Sequence, residues 1–143
     1  MAGPQNLQAC PHCSSATAVE CDDEIQGLMA VASRTRFASL TPGSNAVYVD
    51  YVEKAPWNIA TPNSPPCFEG IGTVLLTDAV LRSQELGQGG RIGLHSLGSA
   101  EKYYRDQLGM TDLGEDPAYY GLRYFEYTAG MATSWLIETG ASP

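Results

Sequence analysis

Residues Met1 to Thr17 (MAGPQNLQACPHCSSAT) are small and polar, with neither a strand nor a helix period. They read as an irregular or mobile lead-in to a single domain over 18–143. From Ala18 the apolar positions become regular. Ala18 to Cys21 predicts a short strand, and Asp22-Asp23-Glu24 a polar turn. Ile25 to Ser33 (IQGLMAVAS) is apolar enough for a buried strand, and Pro42-Gly43 marks the next turn. Ala46 to Glu53 alternates, which predicts Val47, Val49 and Tyr51 on one face and Tyr48, Asp50 and Val52 on the other. Three strands joined by short polar turns predict an antiparallel meander.

The pattern then changes. Lys54 to Glu69 is a long loop holding Pro56, Pro62, Pro65 and Pro66. Gly70-Ile71-Gly72 opens a helix that runs through Leu86, with Ile71, Leu75, Ala79 and Leu86 near one face and Val74 beside them. Gly87 is placed to end it. Arg91 to Leu97 predicts a strand. Ser99 is placed to cap a second helix that turns Ala100, Tyr103, Tyr104 and Leu108 inward, and Gly109 stops it. Tyr119 to Thr128 predicts another strand. Met131 to Ile137 is a short apolar segment whose period fits either element. No internal repeat is present.

Composition narrows the function classes. A chain of 143 residues fits one domain and needs no disulfide or metal staple. Fifteen glycines and nine prolines argue against a helical bundle. Sixteen acidic residues against eight basic ones give a net charge of -8, which disfavours nucleic-acid backbones and anionic membranes as partners. No apolar run approaches the roughly 18 residues of a membrane span. The N-terminus lacks the basic start and apolar stretch of a signal peptide, so a cytoplasmic location is expected. Cys10-Pro11-His12-Cys13 invites a redox or a zinc reading, the latter with Cys21 and either His12 or Cys67. A redox motif follows a buried strand, which Pro4 to Gln8 is not, and no second C-x-x-C completes a zinc set. No metal is expected.

The glycine loop carries the chemistry. Gly70 and Gly72 lack side chains, so a ligand can approach the backbone closely. The first amides of the following helix have no intrahelical partner, and the helix dipole favours anions. A pyrophosphate is the natural guest.

The segment from Ala46 to Met110 resembles the GCN5-related N-acetyltransferase (GNAT) family. That family's pyrophosphate loop reads R/Q-x-x-G-x-G/A and opens a helix after a strand. Here the loop is Cys67-Phe68-Glu69-Gly70-Ile71-Gly72, with the glycines in place and Cys67 where the R/Q stands. The family's later A-x-x-x-Y helix, ending at a Gly before an aromatic or Met, is matched by Ala100, Tyr104 and Gly109-Met110, one residue longer than usual. The resemblance covers about Ala18 to Thr128. It implies an α/β fold with a mixed, mostly antiparallel sheet, flanked by helices and splayed between its central strands. It also implies a shortened member, because only some 17 unpatterned residues precede the first strand where the family has a strand and two helices.

The activity implied is direct transfer of the acetyl group of acetyl-CoA to a primary amine. Pantetheine would lie along Tyr51, Val52 and Glu53, and pyrophosphate against Glu69, Gly70, Ile71, Gly72 and Thr73. Tyr104 matches the tyrosine that protonates the departing thiolate, and Tyr103 is its neighbour. Glu53 and His95 are candidate bases, with Asp50 a poorer third, although an ordered water also serves in this family. Lys102 and Arg105 are candidates for the phosphates. An exposed sheet edge makes a homodimer a further expectation. Two other readings stay open. One is a non-catalytic acyl-CoA-binding or assembly module of the same fold. The other is a vicinal-oxygen-chelate metal enzyme, since Leu94 to Met110 also resembles that module's first strand and helix, with His95 and Glu126 as ligands.

Overall fold

A computed structural model of the chain describes residues 14–32 and 36–140. Among the described residues seven strands form the framework: β1 (Ser14–Cys21), β2 (Glu24–Ala32), β3 (Arg36–Phe37), β4 (Asn45–Lys54), β5 (Ile92–Ser96), β6 (Thr111–Asp116) and β7 (Leu122–Tyr127). They are ordered β1-β2-β4-β5-β7-β6, with the short β3 pairing β4. Every pairing is antiparallel except β4 with β5. The long helix α1 (Ile71–Glu85) supplies the crossover that a parallel pair requires. A second helix, α2 (Ala129–Thr139), follows β7. The expected meander of β1, β2 and β4 is therefore present, within a mixed sheet.

Several elements differ from the sequence reading. β1 begins at Ser14, because residues 14–17 pair with Met29 to Ala32. Small Ser, Ala and Thr side chains give no apolar period there. The apolar pattern does not predict the edge strand β6: TDLGED is polar, half-exposed and interrupted by an irregularity between Asp112 and Glu115. Met131 to Ile137 proves helical. Thr128 Oγ1 accepts from the Met131 amide at its start, and Gly140 ends it in the left-handed region. The helix expected after Ser99 is a 3-10 turn at Gly98–Ala100 followed by a π-helical turn at Tyr103–Gln107. Ser99 caps neither, but Tyr104 and Leu108 still turn inward. Leu86 lies beyond α1 and is exposed, while Leu76 and Val80 complete the buried face.

The sheet has two unlike faces. Both helices cover the first, where Met29, Val47, Val49, Ile92, Leu94, Phe125 and Tyr127 meet Ile71, Leu75, Ala79 and Leu136 in one apolar core. Tyr48, His95, Tyr124 and Glu126 line the second. Gly27 and Gly93 allow the close packing. A Cβ on Gly27 would lie 2.5 Å from Ile71 Cγ2 and 3.1 Å from the Glu53 carbonyl. A Cβ on Gly93 would overlap the Tyr124 hydroxyl.

β4 does not keep a strict alternation. Ala30 pairs Tyr51 and Val31 pairs Val49, so Asp50 is an extra residue in a β-bulge. One inserted residue reverses every later side chain. Val52 thus packs against the apolar core, opposite Met29, and Tyr51 moves to the second face. This reverses the sequence assignment of those two residues, and it brings Glu53 onto the face of His95.

Candidate active site where the central strands part

β4 and β5 pair only at Val47–Ile92, Tyr48–Gly93 and Val49–Leu94. Beyond these, β4 continues against β2, from Tyr51 opposite Ala30 to Lys54 opposite Gly27. β5 continues against β7, with His95 opposite Tyr124 and Ser96 opposite Arg123. The bulge at Asp50 bends β4 at the point of divergence. Among the described residues, Tyr51, Val52 and Glu53 have no strand pairing on their β5 side. An extended ligand arm can add there as a short strand.

α1 begins at the same cleft. Gly70, at φ 79°, is its N-cap and offers no side-chain hydrogen bond. The contrast with α2, closed by Thr128, is direct: the first amides of α1 stay available to an anion. The approach loop is tied down. Asn58, 1% exposed, donates through Nδ2 to the Gln26 carbonyl and to Gln26 Oε1, both at 3.0 Å. Its Oδ1 accepts from the Phe68 amide at 2.9 Å. Trp57 Nε1 also donates to Gln26 Oε1, at 2.8 Å. Gly72 lies under Tyr103, whose hydroxyl would sit 3.2 Å from a Cβ placed there. The same hydroxyl bonds Thr73 Oγ1 at 2.9 Å.

Tyr104 is buried on the helical face, its ring 5.9 Å from Phe125. Phe125 pairs with Leu94, the last β5 residue joined to β4, so Tyr104 lies at the level where the strands part. Its hydroxyl has no hydrogen-bond partner among the described residues and is not sealed from solvent. Burial, with a smaller push from Tyr103, raises the Tyr104 phenol to about 12. Arg105 is held by Asp112 at 2.9 Å, and Lys102 is exposed.

The second face carries a polar network that local sequence pattern does not reveal. His95 Nδ1 meets the Tyr48 hydroxyl at 2.7 Å, and His95 Nε2 meets Asp116 Oδ2 at 2.8 Å. Tyr119 stacks on the imidazole at 3.9 Å between centroids. Burial, then Tyr119 and Asp50, push the Tyr48 phenol well above its ordinary value, against a smaller opposing effect of Arg36. The hydrogen bond from His95 holds Asp116 below the usual carboxylate range. Glu53 is exposed. Both ring nitrogens of His95 are engaged, so an amine reaches this base only through Tyr48 or by displacing a partner. Tyr48 and Asp116 lie 47 and 21 residues from His95, which is why no spacing motif marks them.

The metal reading of His95 and Glu126 is overturned. Glu126 accepts from the Ser39 amide at 3.0 Å, the Leu40 amide at 2.7 Å and the Tyr124 hydroxyl at 2.6 Å. The sheet around it is one mixed unit with a helical crossover. Among the described residues no three His, Cys, Asp or Glu side chains converge as a metal site. Cys21 and Cys67 are free thiols, and Cys10, His12 and Cys13 lie outside the described residues. No described helix is long and apolar enough to cross a membrane.

No protein-family model and no curated protein matches the chain. Solved structures do. A bacterial toxin superposes with a TM-score of 0.65 at 15% identity, over 92% of this chain and 75% of that one. Histone acetyltransferase HPA2 and related acetyltransferase from Corynebacterium glutamicum gives 0.57 at 16%, over 87% and 68%. The Bacillus subtilis N-acetyltransferase YlbP, solved in complex with coenzyme A, gives 0.57 at 12%, over 87% and 76%. These likenesses establish the fold, a GNAT-like mixed sheet flanked by helices.

Proposed function

We propose that this chain, built on the GNAT acetyltransferase fold, moves the acetyl group of acetyl-CoA directly to a primary amine of a small molecule or peptide. One observation carries the reading. The unpaired edge of Tyr51, Val52 and Glu53 opens onto the uncapped start of α1, so one cleft offers both a strand partner for pantetheine and open amides for pyrophosphate. Gly72 fits this use, since any side chain would crowd Tyr103 at the mouth of that cradle. Glu69, Gly70, Ile71, Gly72 and Thr73 hold the phosphates. Bound acetyl-CoA supplies an acetyl thioester whose carbonyl accepts the amine.

The protein's own part is proton management. Tyr104 keeps its proton, with a phenol raised to about 12, and can give it to a departing thiolate. Glu53 and His95 share the second face and serve the acceptor side. The net charge of -8 draws cationic amines, such as polyamines or lysine-bearing peptides, and repels polynucleotide acceptors. Titration calorimetry of acetyl-CoA into the wild type and Gly72→Glu tests the reading. Micromolar binding lost in the variant supports it, and no binding by either sinks it. A second reading, a non-catalytic acyl-CoA-binding module, draws on Cys67 standing where the family has R/Q. Binding without turnover across an amine panel would favour it.

A further inference from the structure

On the second face of the sheet, we propose that Tyr48, His95 and Asp116 form a proton relay that takes the proton of the acceptor ammonium at Tyr48 Oη. The inference rests on the acetyltransferase reading and adds to it the route by which His95 acts. In this proposal Tyr48 is the catalytic residue, the one group of the three that touches the acceptor. His95 and Asp116 act through it and are positioning residues.

The geometry has a direction. Tyr48 is 8% exposed, the His95 side chain 3% and the Asp116 side chain 26%. A proton taken at Tyr48 therefore has a hydrogen-bonded path through the enclosed imidazole to a carboxylate that meets water. The carboxylate of Asp116 can only accept, so in the relay His95 Nε2 donates to it and Nδ1 is left to accept from Tyr48. The hydroxyl, imidazole and carboxylate stand as in a hydroxyl-base-orienter triad. Their place is set by the sheet. Tyr48 lies opposite Gly93, and His95 is the first β5 residue past the last pair with β4.

In the step itself, an N–H bond of the ammonium breaks and its proton goes to Tyr48 Oη. The phenol's O–H bond breaks as His95 Nδ1 takes that proton, and the electron pair stays on the now neutral amine. Asp116 balances the imidazolium. The surrounding groups are Tyr119, stacked on His95; Tyr124, with its ring 4.9 Å from His95; and Glu126, which accepts from Tyr124. Arg36 lies 4.2 Å from the Tyr124 ring centroid and 5.6 Å from that of Tyr48, and Asp50 bears on Tyr48.

The test uses two acceptors, spermidine, whose amines are protonated at neutral pH, and methoxyamine, whose amine is not. For Tyr48→Phe the rate with spermidine is expected to fall about 10- to 100-fold, and with methoxyamine less than about threefold, at unchanged acetyl-CoA affinity. Asp116→Asn, which leaves the core intact, is expected to show the same acceptor dependence with a smaller loss. Nitrogen-15 NMR of His95 in the unliganded protein is expected to find the proton on Nε2. Equal losses with both acceptors, no loss with either, or a proton on Nδ1 of the neutral ring would overturn the relay while leaving the acetyltransferase reading standing. A wild type that binds acetyl-CoA but acetylates neither of these amines nor any other of a panel that includes lysine-bearing peptides overturns the catalytic reading and the relay with it.

Discussion

Tyr103 and Tyr104 are neighbours in sequence with different surroundings. Tyr103 bonds Thr73 beside Gly72, whereas Tyr104 enters the core below the parting strands. Removing the Tyr104 hydroxyl with Tyr104→Phe keeps the ring packing and takes away the proton donor. A kcat about 100-fold lower, at unchanged acetyl-CoA Kd, is the expected result. Tyr103→Phe is the control and should leave kcat within a few-fold. A phenol raised to about 12 loses its proton only near that pH, so Tyr104 should cause no fall in kcat below about pH 11. A kcat profile dropping near pH 10 in the wild type but not in Tyr104→Phe would contradict this. Adjacent tyrosines were legible as inward-facing residues. Their separate roles were not, because the π-helical turn sets their directions and sequence period does not describe it.

At the scale of elements, the approach of α1 to β2 depends on Gly27. A Cβ there meets the branched Ile71 side chain and the Glu53 carbonyl, neither of which is a flexible tip. Gly27→Ala is expected to destabilise the protein by about 1–3 kcal/mol. It should also weaken acetyl-CoA binding, since Ile71 opens the pyrophosphate helix. Denaturant unfolding and calorimetry on the same variant check both, and an unchanged midpoint would show that α1 shifts freely. Ile25 to Ser33 was readable as a buried strand from its apolar content. The need for glycine within it was not, since that need comes from a helix more than 40 residues onward. The same limit hid the bulge at Asp50. Alternation through Val49 was plain, but the reversal at Tyr51 and Val52 is set by the pairing with β2. β6 carries no apolar rhythm because it is a polar edge strand whose positions are half-buried or exposed and none fully buried.

Across the whole molecule, half of the eight tyrosines are buried with raised phenols: Tyr48, Tyr104, Tyr124 and Tyr127. In each case burial is the main cause. An unfolded chain ionises these groups near their ordinary value of about 10, while the folded chain holds the protons. Above that pH the unfolded state binds fewer protons, so stability is full below about pH 10 and falls as pH rises. The Tyr104 shift alone is worth on the order of 3 kcal/mol once pH passes about 12. A Tm falling steeply above pH 10 is expected, with phenolate absorbance from the buried set appearing only on unfolding. Complete titration of all eight while circular dichroism stays native would refute this.

The tie between Gln26 and Asn58 divides the long proline-containing loop into two parts. Its stems are fixed, with the Ala55 amide on the Gln26 carbonyl and the Phe68 amide on Asn58. Between them, residues 59–65 are exposed and joined to each other by a single bridge, Thr61 with Ser64. Lengthening a loop whose ends are already held together adds only slowly to its closure entropy, about 0.6 kcal/mol per doubling. The tip around Asn63 is thus a natural insertion point. A fluorophore or an affinity peptide placed there would hang from a closed stem and leave the glycine turn beyond it undisturbed.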